Sequence, residues 1–160
     1  LTSRKKISAY SERFEGYVKA LVQGGREADA IHVVYLDQVN YRAAYETMSR
    51  LLDAEDFIYD GIFATSDWLA LGCYNALTEH GYSIPEEVKL VGYDDISITQ
   101  FNAVPITTVH QQIDIMGKTV VEQLFRILGG ESALQEVVKV PVYLNVREST
   151  RGRKMPKKYE

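Results

Sequence analysis

Residues 61–96 read GIFATSDWLALGCYNALTEHGYSIPEEVKLVGYDDI, and this stretch decides the fold. The short apolar run Ile62–Ala64 predicts a buried strand that ends in hydroxyl and carboxylate groups. A helix is predicted directly after it, over residues 67–80. Ser66 or Asp67 can cap this helix, since either side chain can accept a hydrogen bond from a free backbone N–H.

The same stretch continues into a second apolar strand, Val88–Tyr93, which ends in Asp94 and Asp95. In an open parallel α/β sheet, ligands collect beyond the carboxyl ends of the strands. Two successive strands therefore deliver hydroxyl and carboxylate groups to one edge. A small polyhydroxy ligand needs an edge of this kind.

The rest of the chain repeats the alternation of helix and strand. Three more helices are predicted from apolar residues at spacings of three and four: Ser11–Gly24, Tyr41–Leu52 and Ile113–Leu128. Three more strands are predicted: Ile31–Tyr35, Ile106–His110 and Val137–Leu144, the last interrupted by Pro141 and so placed towards an edge. The pattern predicts a single α/β domain over residues 1–160, a three-layer αβα arrangement around a parallel sheet.

Composition excludes several classes of protein. With 160 residues, a net charge of −4 and a pI of about 5.4, the chain is large enough for a core but too acidic to bind nucleic acid by charge. A single cysteine suits a reducing compartment, and no apolar run is long enough to span a membrane. We expect a cytoplasmic protein without membrane contact. Residues 151–160 are expected to form a disordered tail.

Motifs for a cofactor or a metal are not found. Gly117-Lys118-Thr119 lies inside an apolar-periodic helix and lacks the earlier glycine of a phosphate-binding loop. The three histidines have no metal-ligand spacing. Asp67, Asp94 and Asp95 could in principle serve as acid and base in glycoside hydrolysis. This enzyme hypothesis is the least favoured, and neither cofactor nor metal is expected.

Five segments in this order resemble the LacI/GalR family of bacterial transcription regulators: IFATSDWLALG, IPEEVKLVGYDDI, PITTVHQ, DIMGKTVVEQL and VREST. With SERFEGYVKAL ahead of them, they span residues 11–150. The resemblance implies a periplasmic-binding-protein-like core whose two α/β subdomains close on a sugar or purine, with a DNA-binding headpiece before it. This chain would be the second half of that core. The helix within residues 112–130 would then belong to the other subdomain, and operator DNA would be bound only through the absent headpiece.

The resemblance also implies which residues meet the effector. They are Arg13, Tyr35, Ser66, Asp67, Asp94 and Gln111, where Ser66 replaces the usual Asn and leaves the identity of the effector open. Each has a plainer alternative. Arg13 could pair with a glutamate of its own helix, Asp94 could be a turn residue, Tyr35 could be core, and Asp67 could only cap a helix.

The resemblance finally implies self-association. Trp68 and Leu71 lie on a helix through which this family dimerises, and Val120 and Leu124 lie on the apolar stripe of the helix over residues 113–128. A homodimer or higher oligomer is therefore expected. The leading functional hypothesis is the sugar-binding and dimerisation part of a LacI-family regulator. The alternative is a fragment of a soluble, periplasmic-type sugar receptor.

Overall fold

The computed structural model describes residues 1–5, 7–26, 31–54, 57–130 and 137–151. The helices are α1 (Ser8–Gln23), α2 (Tyr41–Asp53), α3 (Asp67–Glu79), α4 (Ile113–Leu128) and the short α5 (Glu148–Arg151). The strands are β1 (Thr2–Ser3), β2 (Tyr35–Leu36), β3 (Gly61–Phe63), β4 (Lys89–Asp94), β5 (Thr107–Gln111) and β6 (Val142–Asn145). A 3-10 turn, Ser97–Gln100, follows β4. In these ranges we find no helix with the length and apolarity that crossing a membrane requires.

The main sheet has the order β3-β4-β5-β6. Strands β3, β4 and β5 are parallel, as predicted, whereas β6 is antiparallel to β5. Strand β5 leads into α4, and β6 is the next strand in the chain. Strands β1 and β2 form a separate parallel pair. Backbone hydrogen bonds from Leu1 to Phe63 (2.8 Å) and from Thr65 to Leu1 (3.0 Å) join this pair to β3.

Successive side chains of each strand point to opposite faces of the sheet. Ile62 and Leu90 are buried in the core that α2 and α3 cover. Phe63 points to the opposite face, where its ring stacks on Tyr17 of α1 with the centroids 5.4 Å apart. Helices therefore cover both faces, which confirms the three-layer α/β arrangement.

The helix boundaries follow the sequence pattern closely. Helix α4 has the predicted bounds, and α3 begins at Asp67 with Ser66 as its N-cap. The Ser66 hydroxyl accepts the backbone N–H of Leu69 at 3.5 Å. Gly81, with φ at 81°, takes the left-handed conformation just after the helix. Helix α1 starts at Ser8, earlier than the predicted Ser11.

Two strand predictions are wrong in their extent. The predicted strand Ile31–Tyr35 is reduced to β2, because its partner β1 offers a ladder of only two residues. The predicted strand Val137–Leu144 begins only at Val142, after Pro141, which has no N–H to give to a ladder. Its place at the edge of the sheet is as predicted. Of the predicted disordered tail, residues 151–160, only Arg151 is described, and it is the last residue of α5, so the prediction is wrong there. The rest of the tail lies outside the described residues.

Close packing of α2 on α3 depends on Gly72. A Cβ at this position would lie 2.5 Å from the Tyr41 carbonyl oxygen and 2.8 Å from the Ala44 Cβ. Gly72→Ala should therefore lower the free energy of unfolding by roughly 1–3 kcal/mol, as overpacking does. Gly16→Ala is the matched control, since a Cβ there meets nothing within 4 Å. It should stabilise α1 by about 0.5–1 kcal/mol. Urea denaturation compares the two, and equal effects would contradict the packing argument.

Helix α4 projects from the sheet with none of its side chains buried. Val120 is 67% exposed and Phe125 is 69% exposed. A groove of about 610 Å³ runs between α4 and the segment that leads into β6. Its lining includes Met116, Val120, Leu124, Ile127, Val138 and Val142. The apolar stripe of α4 is thus left uncovered by the described part of the chain.

Candidate functional site

A cluster of charged and amide groups forms at the carboxyl ends of β3, β4 and β5. Arg13 of α1 makes an ion pair with Asp94 at 3.0 Å and donates to the Thr65 carbonyl oxygen at 2.7 Å. Gln111, at the end of β5, donates its amide to the same Asp94 oxygen, Oδ1, at 2.6 Å. The structure therefore brings together three of the predicted effector residues: Arg13, Asp94 and Gln111. Arg13 does not pair with a glutamate of its own helix.

The Arg13 guanidinium also lies against an aromatic ring. Its central carbon is 3.8 Å from the centroid of Tyr93, within the range of a cation–π contact. The ring of Tyr10 lies on another side at 5.6 Å. Tyr93 was not predicted as a site residue. The alternation of β4 could have indicated it, since Gly92 faces α3 and Tyr93 must then face α1.

Asp94 has an unusual backbone. Its φ is 116° and that of Asp95 is 54°, values that non-glycine residues rarely adopt, although Asp and Asn tolerate positive φ better than most. Such conformations persist where surrounding bonds hold them. Burial raises the pKa of the Asp94 carboxyl, while the Arg13 charge and bonds from Gln111, Arg13 and the Asp67 backbone N–H act in the opposite direction. Asp94 is thus held by groups from several elements.

Ser66 and Asp67 lie at the N-terminus of α3, where their side chains bond within the protein. Ser66 is buried as the N-cap of α3. Asp67 is 0% exposed, and its two carboxylate oxygens accept the Thr108 hydroxyl at 2.7 Å and the Ile96 N–H at 2.9 Å. Both oxygens are engaged inside the protein, so this carboxylate ties α3 to the ends of β4 and β5.

Because its side chain is buried, Asp67 makes the free energy of unfolding depend on pH. Burial raises the pKa of Asp67 to about 6 from 3.8, against the lowering effect of its bonds from Thr108 and Ile96. The folded protein therefore holds this proton in a pH range where the unfolded chain has lost it, and the Asp67 contribution to stability falls as the pH rises from about 4 to about 6. In Asp67→Asn this contribution is constant. Relative to wild type, the variant should gain about 1–3 kcal/mol between about pH 4 and pH 7.

Urea denaturation over this pH range measures the difference. Asp37→Asn is the control, because Asp37 is an exposed carboxylate that pairs with Arg4 on the surface. Its stability should follow the wild-type pH profile. If the stability of wild type and of Asp67→Asn changed with pH in parallel, the raised pKa of Asp67 would be contradicted.

A second carboxylate, Asp95, has its own set of donors. His110 donates at 2.6 Å and Asn145 at 3.2 Å to one oxygen, and Arg147 pairs with the other. Burial alone would raise the pKa of Asp95, but the hydrogen bonds from these three side chains hold it below its ordinary value. Arg147 belongs to the VREST segment, which resembles the family without having been assigned a contact. Only the fold shows that this segment returns to β4 and β5.

The remaining predicted residues lie elsewhere. Tyr35 is half exposed and meets the edge of the Phe14 ring, so it lies beside α1 and makes no described contact with Asp94. Trp68 is half exposed on the first turn of α3. Leu71 belongs to the core and is 6% exposed, because it faces inward from α3, so it offers little surface to a partner. Val120 and Leu124 are exposed on α4.

No group of three or more His, Cys, Asp or Glu side chains in the described ranges could hold a metal ion. Gly117 lies within α4, as predicted, and not in a loop before a helix.

Comparison with known proteins identifies the family. The model of the periplasmic binding protein-like domain matches residues 2–150. The chain is 31% identical to the HTH-type transcriptional repressor PurR of Mannheimia succiniciproducens over 146 residues, which are 91% of this chain and 43% of PurR. A CelR–cellobiose complex, in which CelR is a transcriptional regulator, has a TM-score of 0.83 and 33% identity, covering 93% of this chain and 45% of CelR.

A lac repressor dimer bound to operator and the anti-inducer ONPF has a TM-score of 0.78 and 25% identity, covering 89% of this chain and 48% of that one. The chain thus spans less than half the length of these relatives. The fold, the order of the motifs and the match over residues 2–150 lead to one conclusion. The chain belongs to the periplasmic binding protein-like family, and its relatives are LacI-family transcription regulators.

Proposed function

We propose that this chain is the effector-binding and dimerisation part of a LacI-family transcription regulator, and that its effector is a sugar. The observation that carries the proposal is the cluster of Arg13, Asp94 and Gln111 at the carboxyl ends of the parallel strands. This is the end of an α/β sheet where ligands bind. The similarity to a regulator solved with cellobiose supports a sugar.

The chemistry of the cluster suits hydroxyl groups. A sugar hydroxyl both donates and accepts hydrogen bonds, so it needs acceptors and donors side by side. Asp94 offers the acceptor, while Arg13 and Gln111 offer donors that already converge on one Asp94 oxygen. A sugar hydroxyl can enter this arrangement by replacing one internal bond with two of its own. Charge-assisted bonds of this kind are stronger than neutral ones.

The buried residues limit the alternative functions. Glycoside hydrolysis requires two carboxyl groups that face the substrate. Asp67 is fully buried and Asp95 is bonded by three side chains, which leaves only Asp94 of the three candidates for a ligand. A periplasmic-type receptor would share the fold, but the relatives reported above are transcription regulators.

The rest of the proposed protein completes the site. We place α4 in a second subdomain that forms the other wall of the cleft, because no residue of α4 is buried in the described part of this chain. Operator DNA would be bound by a separate headpiece, since this chain is acidic. The proposed location is the cytoplasm, where a transcription regulator acts and where a free cysteine such as Cys73 is stable.

Calorimetry against cellobiose, lactose and ribose tests the proposal. With one wall of the cleft, the chain should bind in the millimolar range or more weakly, roughly −4 kcal/mol or less. The longest form of the protein that the gene encodes should bind one of these or a related sugar much more tightly. Micromolar binding by the chain alone would show that its cleft is already complete. If the longest protein that the gene encodes binds no sugar across a broad panel, the proposed effector class is contradicted.

A further inference from the structure

Two adjacent carboxylates at the end of β4 serve different partners. Asp94 is bonded to Arg13 and Gln111, the groups of the proposed sugar site. Asp95, the next residue, is bonded to His110, Asn145 and Arg147. Both residues have positive φ, so the backbone between the two networks is held in a conformation that depends on these bonds. The two networks thus meet in this short segment of backbone.

The donors to Asp95 come from both strands that flank α4. His110 lies on β5, which leads into the helix, and Asn145 lies on β6, which returns from it. The rings of His110 and Tyr143 stack with centroids 4.6 Å apart, which ties the two strands together at the same level. Asp95 therefore binds the end of β4 to the chain on each side of the crossover.

Arg147 extends this network into the sheet. Its guanidinium donates to the Thr99 hydroxyl at 3.0 Å and to the Ile106 carbonyl oxygen at 2.9 Å, in addition to Asp95. The backbone N–H of Asp95 donates to the Thr108 hydroxyl at 3.2 Å, and this hydroxyl in turn donates to Asp67. The Asp95 and Arg147 side chains are 10% and 15% exposed, so water competes little for these bonds.

We propose that Asp95 is a positioning residue that couples the sugar site to the crossing strands β5 and β6. Asp95, with its partners His110, Asn145 and Arg147, forms a clamp that fixes the end of β4 against the two strands flanking α4. This clamp sets both the orientation of Asp94 and the direction in which α4 leaves the sheet. Effector binding at Asp94 would then act on the position of α4 through Asp95. This inference rests on the proposed function for its biological meaning, while the clamp itself is tested without a sugar.

Hydrogen exchange and side-chain NMR of Asp95→Asn test the clamp. Asparagine tolerates positive φ and keeps the shape of the side chain, so the variant removes the charge with little backbone strain. Amides paired between β5 and β6 should exchange about tenfold faster or more, while amides between β3 and β4 keep their wild-type rates. The side-chain resonances of Arg13 Nε and Gln111 Nε2 should shift, because Asp94 is no longer held in place.

Two controls separate positioning from stability and from charge. Leu52→Ala removes core packing far from the clamp and should accelerate the slowest amides throughout the sheet together. Asp37→Asn changes the net charge equally and should leave all rates unchanged. Arg147→Lys keeps the positive charge but cannot bond to Asp95, Thr99 and Ile106 at once. It should reproduce the pattern of Asp95→Asn, and it serves in its place if Asp95→Asn does not fold.

The outcomes are distinct. Local acceleration between β5 and β6 with shifted Arg13 and Gln111 resonances supports the coupling. Uniform acceleration as in Leu52→Ala, or unchanged rates, would overturn the clamp. Local acceleration with unshifted Arg13 and Gln111 resonances would overturn its link to the site. These readouts need no ligand, so a failure to bind sugar would count against the proposed function alone.

Discussion

We expect this chain, taken without the second subdomain, to associate through α4, and replacing both Val120 and Leu124 by glutamate should make it monomeric. These side chains are 67% and 52% exposed on α4 and line an open apolar groove. Burying one Val or Leu contributes roughly 1.5–3 kcal/mol, so an uncovered stripe of this size favours association through a second copy of the chain. Introducing two charges at its centre should raise the dissociation constant of the oligomer by at least about a hundredfold.

Light scattering after size exclusion measures the effect at tens of micromolar protein. Lys118→Glu is the charge-matched control, because it changes the net charge by the same amount on the polar side of α4, where Lys118 pairs with Glu122. It should leave the oligomer intact. A monomeric wild-type protein would contradict the prediction of an oligomer. An oligomer that survives the double substitution would move the contact to the exposed surface around Trp68, which Trp68→Glu then tests.

Asp94→Asn should weaken sugar binding by about 1.5–3 kcal/mol, which is a loss of roughly tenfold to more than a hundredfold in affinity. The substitution replaces a charged acceptor by a neutral one at the point where Arg13 and Gln111 converge. Stability should change little. Burial already raises the pKa of Asp94, so a neutral side chain relieves a desolvation cost while it loses the pairing with Arg13. Asparagine also accepts the positive φ of this position.

Calorimetry on the longest form of the protein measures the affinity, and urea denaturation measures the stability. Asp37→Asn controls for the change in net charge and should bind as wild type does. Wild-type affinity in Asp94→Asn would show that Asp94 is not a ligand. The turn interpretation of this residue would then stand.

The elements that could be predicted from the sequence are those whose pattern is local. Helix α4 has a continuous apolar stripe and glycines after it, and its bounds are as predicted. Helix α3 has its cap at Ser66, one of the two residues that the sequence offers for this role. Strand β2 could not be bounded in this way, because its length depends on β1, a partner of two residues more than thirty positions away. The antiparallel direction of β6 is not revealed by the alternation of helix and strand alone.

The candidate site divides in the same manner. Arg13, Asp94 and Gln111, which the resemblance assigns to the effector, contact one another at one edge of the sheet. The sequence could not show whether Asp67 contacts the effector or only caps a helix. Its burial depends on Thr108 and Ile96, which belong to other elements. The bonds of Asp95 to Arg147 and Asn145 span some fifty residues, so no local pattern announces them.

The site itself is tested most directly by NMR titration of the labelled chain with cellobiose at tens of millimolar, where weak binding is visible. A sugar at the ends of β3–β5 predicts concentration-dependent shifts of the Arg13 Nε and Gln111 Nε2 signals and of the Asp67 backbone N–H. The Trp68 indole signal should not move. Shifts that avoid Arg13, Asp67 and Gln111, for cellobiose and equally for lactose and ribose, would contradict the placement of the effector at Asp94.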